Sequence, residues 1–173
     1  MNLNDLIGAL EQETRVLAHL ASKAPADRAD WRPTEGQRSL LELLQYITHC
    51  GEIGLVNVAT GTWEHAEPLM ARSATLGIDD IASELDAQLG RMKSVIEGID
   101  PSTMGDEVPL PWGQMVTRGR ALLEMALKPM SAYRMQLFLY LKQSGSTELN
   151  SMNCWVGMDP PDGDGETETD PEE

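Results

Sequence analysis

Apolar residues recur at steps of three and four along most of the chain, which is the period of an amphipathic helix and not of a strand. The first such stripe covers residues 3–21, and Pro25 ends the predicted helix. A second helix is predicted to begin at Ser39, because Ser39 and Glu42 have the capping-box spacing, and Gly61 suits its end.

Two further stripes complete the pattern. A third helix is predicted to begin at Asp79 or Asp80 and to end by Gly98, before a Pro- and Gly-rich loop over residues 101–113. The last long helix is predicted over residues 115–143. Four amphipathic helices of this length predict an all-α four-helix bundle. We expect the up-down-down-up type, in which residues 61–78 form a long crossover loop.

Pro129 lies inside the last predicted helix. Proline lacks an N–H and its ring crowds the preceding turn, so a kink or a break is expected over residues 125–128. The sequence leaves open whether Pro129 bends one helix or separates two.

Composition narrows the class of protein. The chain has 173 residues, 41% of them hydrophobic, and a formal net charge of −15 from 13 basic and 28 acidic residues. This balance argues against nucleic-acid binding, and the sequence offers no membrane span and no signal peptide. Cys50 and Cys154 do not form a disulfide framework, so we expect a reduced, cytoplasmic protein.

The acidic residues are unevenly distributed. Eight of them lie in residues 159–173, which also contain the run PPDGDG. Such a segment buries too little apolar surface to offset its ordering entropy. We therefore predict a single bundle domain over residues 1–158 and a solvated acidic tail over residues 159–173, with contact to a basic partner as the alternative.

Few side chains are candidates for catalysis or ligand binding. His49 shares a mixed polar stripe with Glu42 and Glu52, so it is either a ligand or general base, or a partly solvated histidine that bonds a carboxylate of its own helix. Tyr46 and Tyr133 fall on the inward sides of the second and last helices, where a phenol can bind a ligand but more often packs its ring.

The order of several short motifs resembles the DinB/YfiT-like superfamily of metalloenzymes. Trp31-Arg32-Pro33 matches its W-x-P turn, and residues 39–47, SLLELLQYI, match a helix of the form S-x-x-E-L-L-x-H-I. Residues 129–136, PMSAYRMQ, correspond to H-x-x-x-H-R-x-Q, and residues 155–159, WVGMD, are similar to the closing segment. The resemblance covers about residues 2–160.

The resemblance implies a four-helix bundle that holds a divalent metal with three histidines. Those positions fall here on Tyr46, Pro129 and Tyr133, and none is a histidine. Zinc and nickel favour neutral imidazole, whereas a phenol must lose a proton with a pKa near 10 and proline offers no donor atom. We therefore expect no metal and no other cofactor.

Two functions remain open at this point. The first is a binding protein that acts as a homodimer and takes a small acidic or aromatic molecule. The alternative is a metal-dependent or metal-independent thiol transferase or hydrolase with a remodelled site, in which Tyr133 or His49 gives acid–base help and Arg134 orients an anionic substrate. The candidate pocket residues are Tyr46, His49, Trp112, Tyr133 and Arg134.

Overall fold

The computed structural model describes residues 2–161 and is mostly helical, so the predicted all-α class is confirmed. Four long helices surround one apolar core, and two shorter helices complete the set within this range. In chain order the helices are α1 (Leu3–Ala21), α2 (Leu40–Thr60), α3 (Ala66–Ser73), α4 (Ile81–Glu97), α5 (Arg118–Leu122) and α6 (Lys128–Ser144).

The ends of α2 follow from local sequence. The Ser39 N–H donates to the Glu42 carboxylate at 2.6 Å, and the Glu42 N–H donates to the Ser39 hydroxyl at 3.2 Å. This reciprocal pair satisfies backbone donors that a helix start leaves free. Gly61 ends α2 in the left-handed conformation with φ 76°, as predicted from a glycine at that place.

Helices α1 and α2 have no extensive contact with each other. Instead, α4 and α6 each pack against both of them. Residues later in α2 contact residues earlier in the segment that contains α5 and α6. Tyr46 contacts Tyr133, and Gly54, further along α2, meets Met125, earlier in the partner segment. The two elements are therefore antiparallel, which brings the start of α2 beside the middle of α6.

The loop predicted over residues 101–113 leads into a short hairpin that the sequence analysis missed. Its strands are β1 (Glu107–Pro109) and β2 (Met115–Thr117), which pair antiparallel with Val108 opposite Val116. The predicted start of the last helix at residue 115 is wrong, because α5 begins at Arg118 with Thr117 as its N-cap. Gly113, with φ 87°, makes the reversal that a helix could not contain.

The predicted crossover loop over residues 61–78 contains α3, which the sequence analysis also missed. This helix buries only one residue, Ser73, and therefore shows little of the apolar stripe from which a helix is predicted. Polar contacts hold α3 and the residues after it to α2: the Thr48 and Ser73 hydroxyls are hydrogen-bonded at 2.9 Å, and the Gln45 amide donates to the Leu76 carbonyl at 2.8 Å.

A π turn, Leu123–Leu127, joins α5 to α6 without ending the helix. In it the Lys128 N–H donates to the Leu123 carbonyl, five residues back. Pro129 has no N–H to give to the Met125 carbonyl, so an ordinary α-helical ladder could not be completed here. Pro129 thus neither separates two helices nor only bends one, because the local helix widens.

Two glycines of α2 let it approach this π turn closely. A Cβ at Gly54 would lie 1.9 Å from the Met125 carbonyl oxygen, and a Cβ at Gly51 would lie 2.8 Å from the Met130 sulfur. A distance below 3 Å to a backbone atom cannot be relieved by moving a side chain. The contact between α2 and the π turn therefore requires glycine at position 54.

Asp159, predicted as the first residue of the tail, is attached to the body of the protein. Its carboxylate accepts from Lys23 at 2.7 Å and from the Asn153 amide at 3.0 Å. Residues 162–173, which hold the rest of the predicted tail, lie outside the described residues. Among residues 2–161, no helix combines the length and hydropathy that crossing a membrane would require.

Candidate functional site

Three aromatic side chains meet where α2 packs on α6. The Tyr46 and Tyr133 ring centroids are 4.8 Å apart at an interplanar angle of 64°, and the Tyr46 and His49 centroids are 5.1 Å apart at 74°. Both are edge-to-face arrangements, which aromatic pairs favour. We call Tyr46, His49 and Tyr133 the aromatic cluster.

Arg38 adds a positive charge to the aromatic cluster. Its guanidinium carbon lies 4.1 Å from the centroid of the Tyr46 ring, within the range of a cation–π contact. Arg38 directly precedes Ser39, the N-cap of α2, and is exposed. Arg38 was not predicted as a site residue, because it lies outside the helix and no periodicity relates it to Tyr46.

The aromatic cluster borders a cavity of about 500 Å³ at the start of α2. Tyr46 and His49 form its helical wall, and the end of α3 forms another. The loop before α2 contributes two arginines and a glutamate, and α2 adds a second glutamate. These charged residues are Arg32, Arg38, Glu35 and Glu42.

His49 is more deeply placed than its stripe suggested. Its exposed fraction is 6%, and neither ring nitrogen bonds a carboxylate among the described residues. The carboxylates of its own helix are engaged elsewhere: Glu52 accepts from Arg91 at 2.8 Å, and Glu42 accepts from the Ser39 N–H. The interpretation of His49 as a partly solvated histidine bonded to a carboxylate of α2 is therefore wrong.

Burial sets the protonation states of the site. It lowers the pKa of His49, so the imidazole is neutral near pH 7. Burial, followed by the neighbouring Tyr133 side chain, raises the pKa of Tyr46 well above its ordinary value. Burial also raises the pKa of the Cys50 thiol to about 12. The site thus presents a neutral imidazole, a protonated phenol at Tyr46 and an unreactive thiol.

Two predicted site residues lie apart from the cavity. Arg134 is 7% exposed, donates to the Glu13 carboxylate at 3.1 Å, and lies 4.6 Å from the centroid of the Trp155 ring. It joins α6 to α1 and does not line the cavity. Trp112, 63% exposed, lies in the hairpin turn, away from the start of α2.

The side chains at the three positions that the resemblance assigns to metal ligands do not suit a divalent cation. Tyr46 holds its proton strongly, and Pro129 has no donor atom. Within residues 2–161, no three His, Cys, Asp or Glu side chains are grouped closely enough to bind a metal ion. The chemistry of this donor set therefore does not fit the site that the resemblance implies.

Comparison with known proteins identifies the family and agrees with the helical fold. A family model described as the DinB superfamily matches residues 9–128. A DinB-like protein from Bacillus subtilis has a similar structure, with a TM-score of 0.64 and 21% identity over 84% of this chain and 95% of that chain.

A second similar structure is that of a mutant of the mycothiol-dependent maleylpyruvate isomerase, at a TM-score of 0.53 and 14% identity. This match covers 79% of this chain and 60% of the isomerase. At these identities the structural matches show a shared fold. No curated protein sequence matches the chain.

Proposed function

Because the chain belongs to the DinB superfamily, we propose that it uses the fold of that family without a metal ion and binds a small organic molecule in the cavity beside the aromatic cluster. The observation that carries this proposal is the pairing of the Tyr46 ring with the neutral imidazole of His49 in the wall of that cavity. An aromatic surface beside a few polar groups is the usual lining of a small-molecule site.

The cavity has the composition of a small-molecule site. Its volume of about 500 Å³ falls in the range of ligand pockets, and it combines the Tyr46 ring and the Met70 side chain with a few polar groups. The similar isomerase is named for a small organic acid and a thiol, which supports a small molecule as the ligand.

Catalysis is the weaker candidate. His49 is neutral and is the side chain of the aromatic cluster suited to act as a base, which favours a remodelled transferase or hydrolase. However, the phenol of Tyr46 and the thiol of Cys50 both keep their protons at neutral pH. The site therefore offers a base but no activated nucleophile of its own.

We expect the purified, untagged protein to contain less than about a tenth of an equivalent of zinc or nickel after dialysis against a weak chelator. The physical reason is that neither a strongly protonated phenol nor a proline binds these ions at neutral pH. Elemental analysis by mass spectrometry measures the content.

A triple variant provides the matched control for the metal measurement. Tyr46→His, Pro129→His and Tyr133→His together restore imidazole at the three positions, and we expect this variant to retain about one equivalent of metal. Stoichiometric metal in the unaltered protein would overturn the proposal of a metal-free site.

We also propose that two copies pair through the outer face of α6. On this face Met135 is 37% and Leu139 is 47% exposed. They border a groove of about 520 Å³ lined by uncharged residues: Pro33, Gln37, Ala132, Met135, Gln136, Leu139, Tyr140 and Gln143. Copies that each carry a charge of −15 repel one another, so a charge-free face is where they can meet.

A Leu139→Glu substitution is expected to convert this dimer into a monomer and to halve the mass measured by light scattering. A symmetric interface would bring two added carboxylates together in an apolar contact, which strongly disfavours association. Met115→Glu, at a residue 51% exposed on the hairpin, adds the same charge elsewhere and should leave the mass unchanged. A monomeric unaltered protein would disprove the pairing.

A further inference from the structure

We propose that the guanidinium of Arg38 makes the cavity a site for a small aromatic carboxylate. This inference rests on the proposed binding function and specifies the class of ligand. It follows from where Arg38 lies, from the charges around it and from the apolar surface beside it.

The position of Arg38 is the first support. Its guanidinium carbon lies 4.1 Å from the centroid of the Tyr46 ring, and both residues line the cavity. The contact with the ring holds the guanidinium in place without using its N–H donors.

The charge balance of the cavity is the second support. Arg32 lies 3.5 Å from the Glu42 carboxylate, so its charge is already matched. Among residues 2–161, Arg38 has no carboxylate within ion-pair distance. Its N–H groups therefore remain available, in the planar arrangement that pairs with a carboxylate through two parallel bonds.

The acidic residues of the cavity restrict the anion further. Glu35 and Glu42 both line it, and the whole chain is strongly acidic. Two arginines and two glutamates give the lining no net positive charge, so a phosphate dianion would meet repulsion from both glutamates, whereas a single negative charge can be held by the donors of Arg38. A monocarboxylate is therefore the favoured anion.

The electrostatic effect of Arg38 extends over the whole site. Burial is the largest influence on the pKa values of Tyr46, Cys50 and His49, and the charge of Arg38 acts to lower all three. A positive charge that lowers the pKa of three surrounding groups would also stabilise an anion placed among them.

The apolar lining of the cavity is the reason for proposing that the carboxylate is attached to an aromatic ring. Next to Arg38 the cavity is bounded by the Tyr46 ring, the exposed Met70 side chain and Ala74. A flat ring can pack against these groups while its carboxylate reaches Arg38, and a methionine sulfur contacts aromatic rings favourably.

The test uses three probes of nearly equal shape: benzoate, benzamide and benzylammonium. Titration of each into the metal-free protein, followed through the NMR signals of Tyr46, His49 and Tyr133, should show saturable binding of benzoate. We expect benzamide to bind at least about fivefold more weakly, and benzylammonium not at all, because charge-assisted hydrogen bonds to Arg38 require the carboxylate.

Variants assign the effect to one arginine. Arg38→Gln should weaken benzoate binding at least about tenfold, and Arg38→Lys should lie between, because lysine keeps the charge but not the planar donors. Arg28→Gln, at an arginine beside Asp27 and outside the cavity, removes the same charge and should change nothing.

The outcomes separate the two proposals. Equal binding of benzoate and benzamide, unchanged binding in Arg38→Gln, or no binding of benzoate would overturn the role of Arg38. Binding of benzamide or benzylammonium at the aromatic cluster would leave the proposed binding function standing. If none of the three probes shifts the signals of the aromatic cluster, both proposals fail.

Discussion

A Gly54→Ala variant is expected to lose about 3 kcal/mol or more of folding free energy, the upper range for overpacking a core. The added Cβ would lie 1.9 Å from the Met125 carbonyl oxygen, which belongs to the π turn and cannot rotate away as a side chain could. Helices α2 and α6 would have to separate, and the core contacts between them would weaken. Urea unfolding followed by circular dichroism measures the loss.

Gly90→Ala is the matched control for this prediction. Gly90 is an exposed residue within α4, and nothing lies within 4 Å of a Cβ placed there. Alanine at such a position is expected to stabilise the helix by about 0.5–1 kcal/mol. If Gly54→Ala were as stable as the unaltered protein, the close contact between α2 and the π turn would not exist in solution.

Replacement of Arg91 by methionine is expected to cost about 3 kcal/mol, because it leaves the buried Glu52 carboxylate without its partner and leaves Glu84 with Arg72 alone. Arg91 donates to Glu52 through Nε and Nη2, each at 2.8 Å, and to Glu84 at 2.8 Å. The Glu52 and Glu84 side chains are only 6% and 7% exposed, so water would not replace the lost bonds. The same unfolding measurement reports the effect.

Two comparisons make the Arg91 prediction specific. Adding Glu52→Gln to Arg91→Met removes the stranded charge and should restore part of the stability. Lys128→Met breaks an ion pair with Glu124 whose lysine is 70% exposed, and should cost no more than about 0.5 kcal/mol. Equal costs for Arg91→Met and Lys128→Met would show that burial does not strengthen the Arg91 interactions.

Periodicity and capping were enough to predict the main helices. The start of α2 follows from Ser39 and Glu42, and its end follows from Gly61. The inward placement of Tyr46 and Tyr133 also followed from helical spacing, and the structure shows that the two rings meet. These features depend on residues close together in the chain, whose pattern a sequence displays directly.

The arrangement of the charged residues in the candidate site depends on contacts between residues far apart in the chain. The guanidinium of Arg134 is a group suited to bind an anion, but it already pairs with the Glu13 carboxylate of α1. Arg38, in contrast, belongs to no periodic stripe and is placed by the loop that folds back on Tyr46. A single sequence does not display which of two arginines a distant carboxylate will neutralise, so the pairing of Arg134 with Glu13 could not be predicted.

The π turn before α6 also has a consequence for the phase of the helix. Each residue advances an α-helix by about 100°, so one additional residue within a turn rotates everything after it by that angle about the axis. The direction in which Tyr133 points is thus set partly by the number of residues in Leu123–Leu127. Shortening that segment by one would turn the phenol away from Tyr46 without changing either side chain, so the segment's length is under constraint as well as its composition.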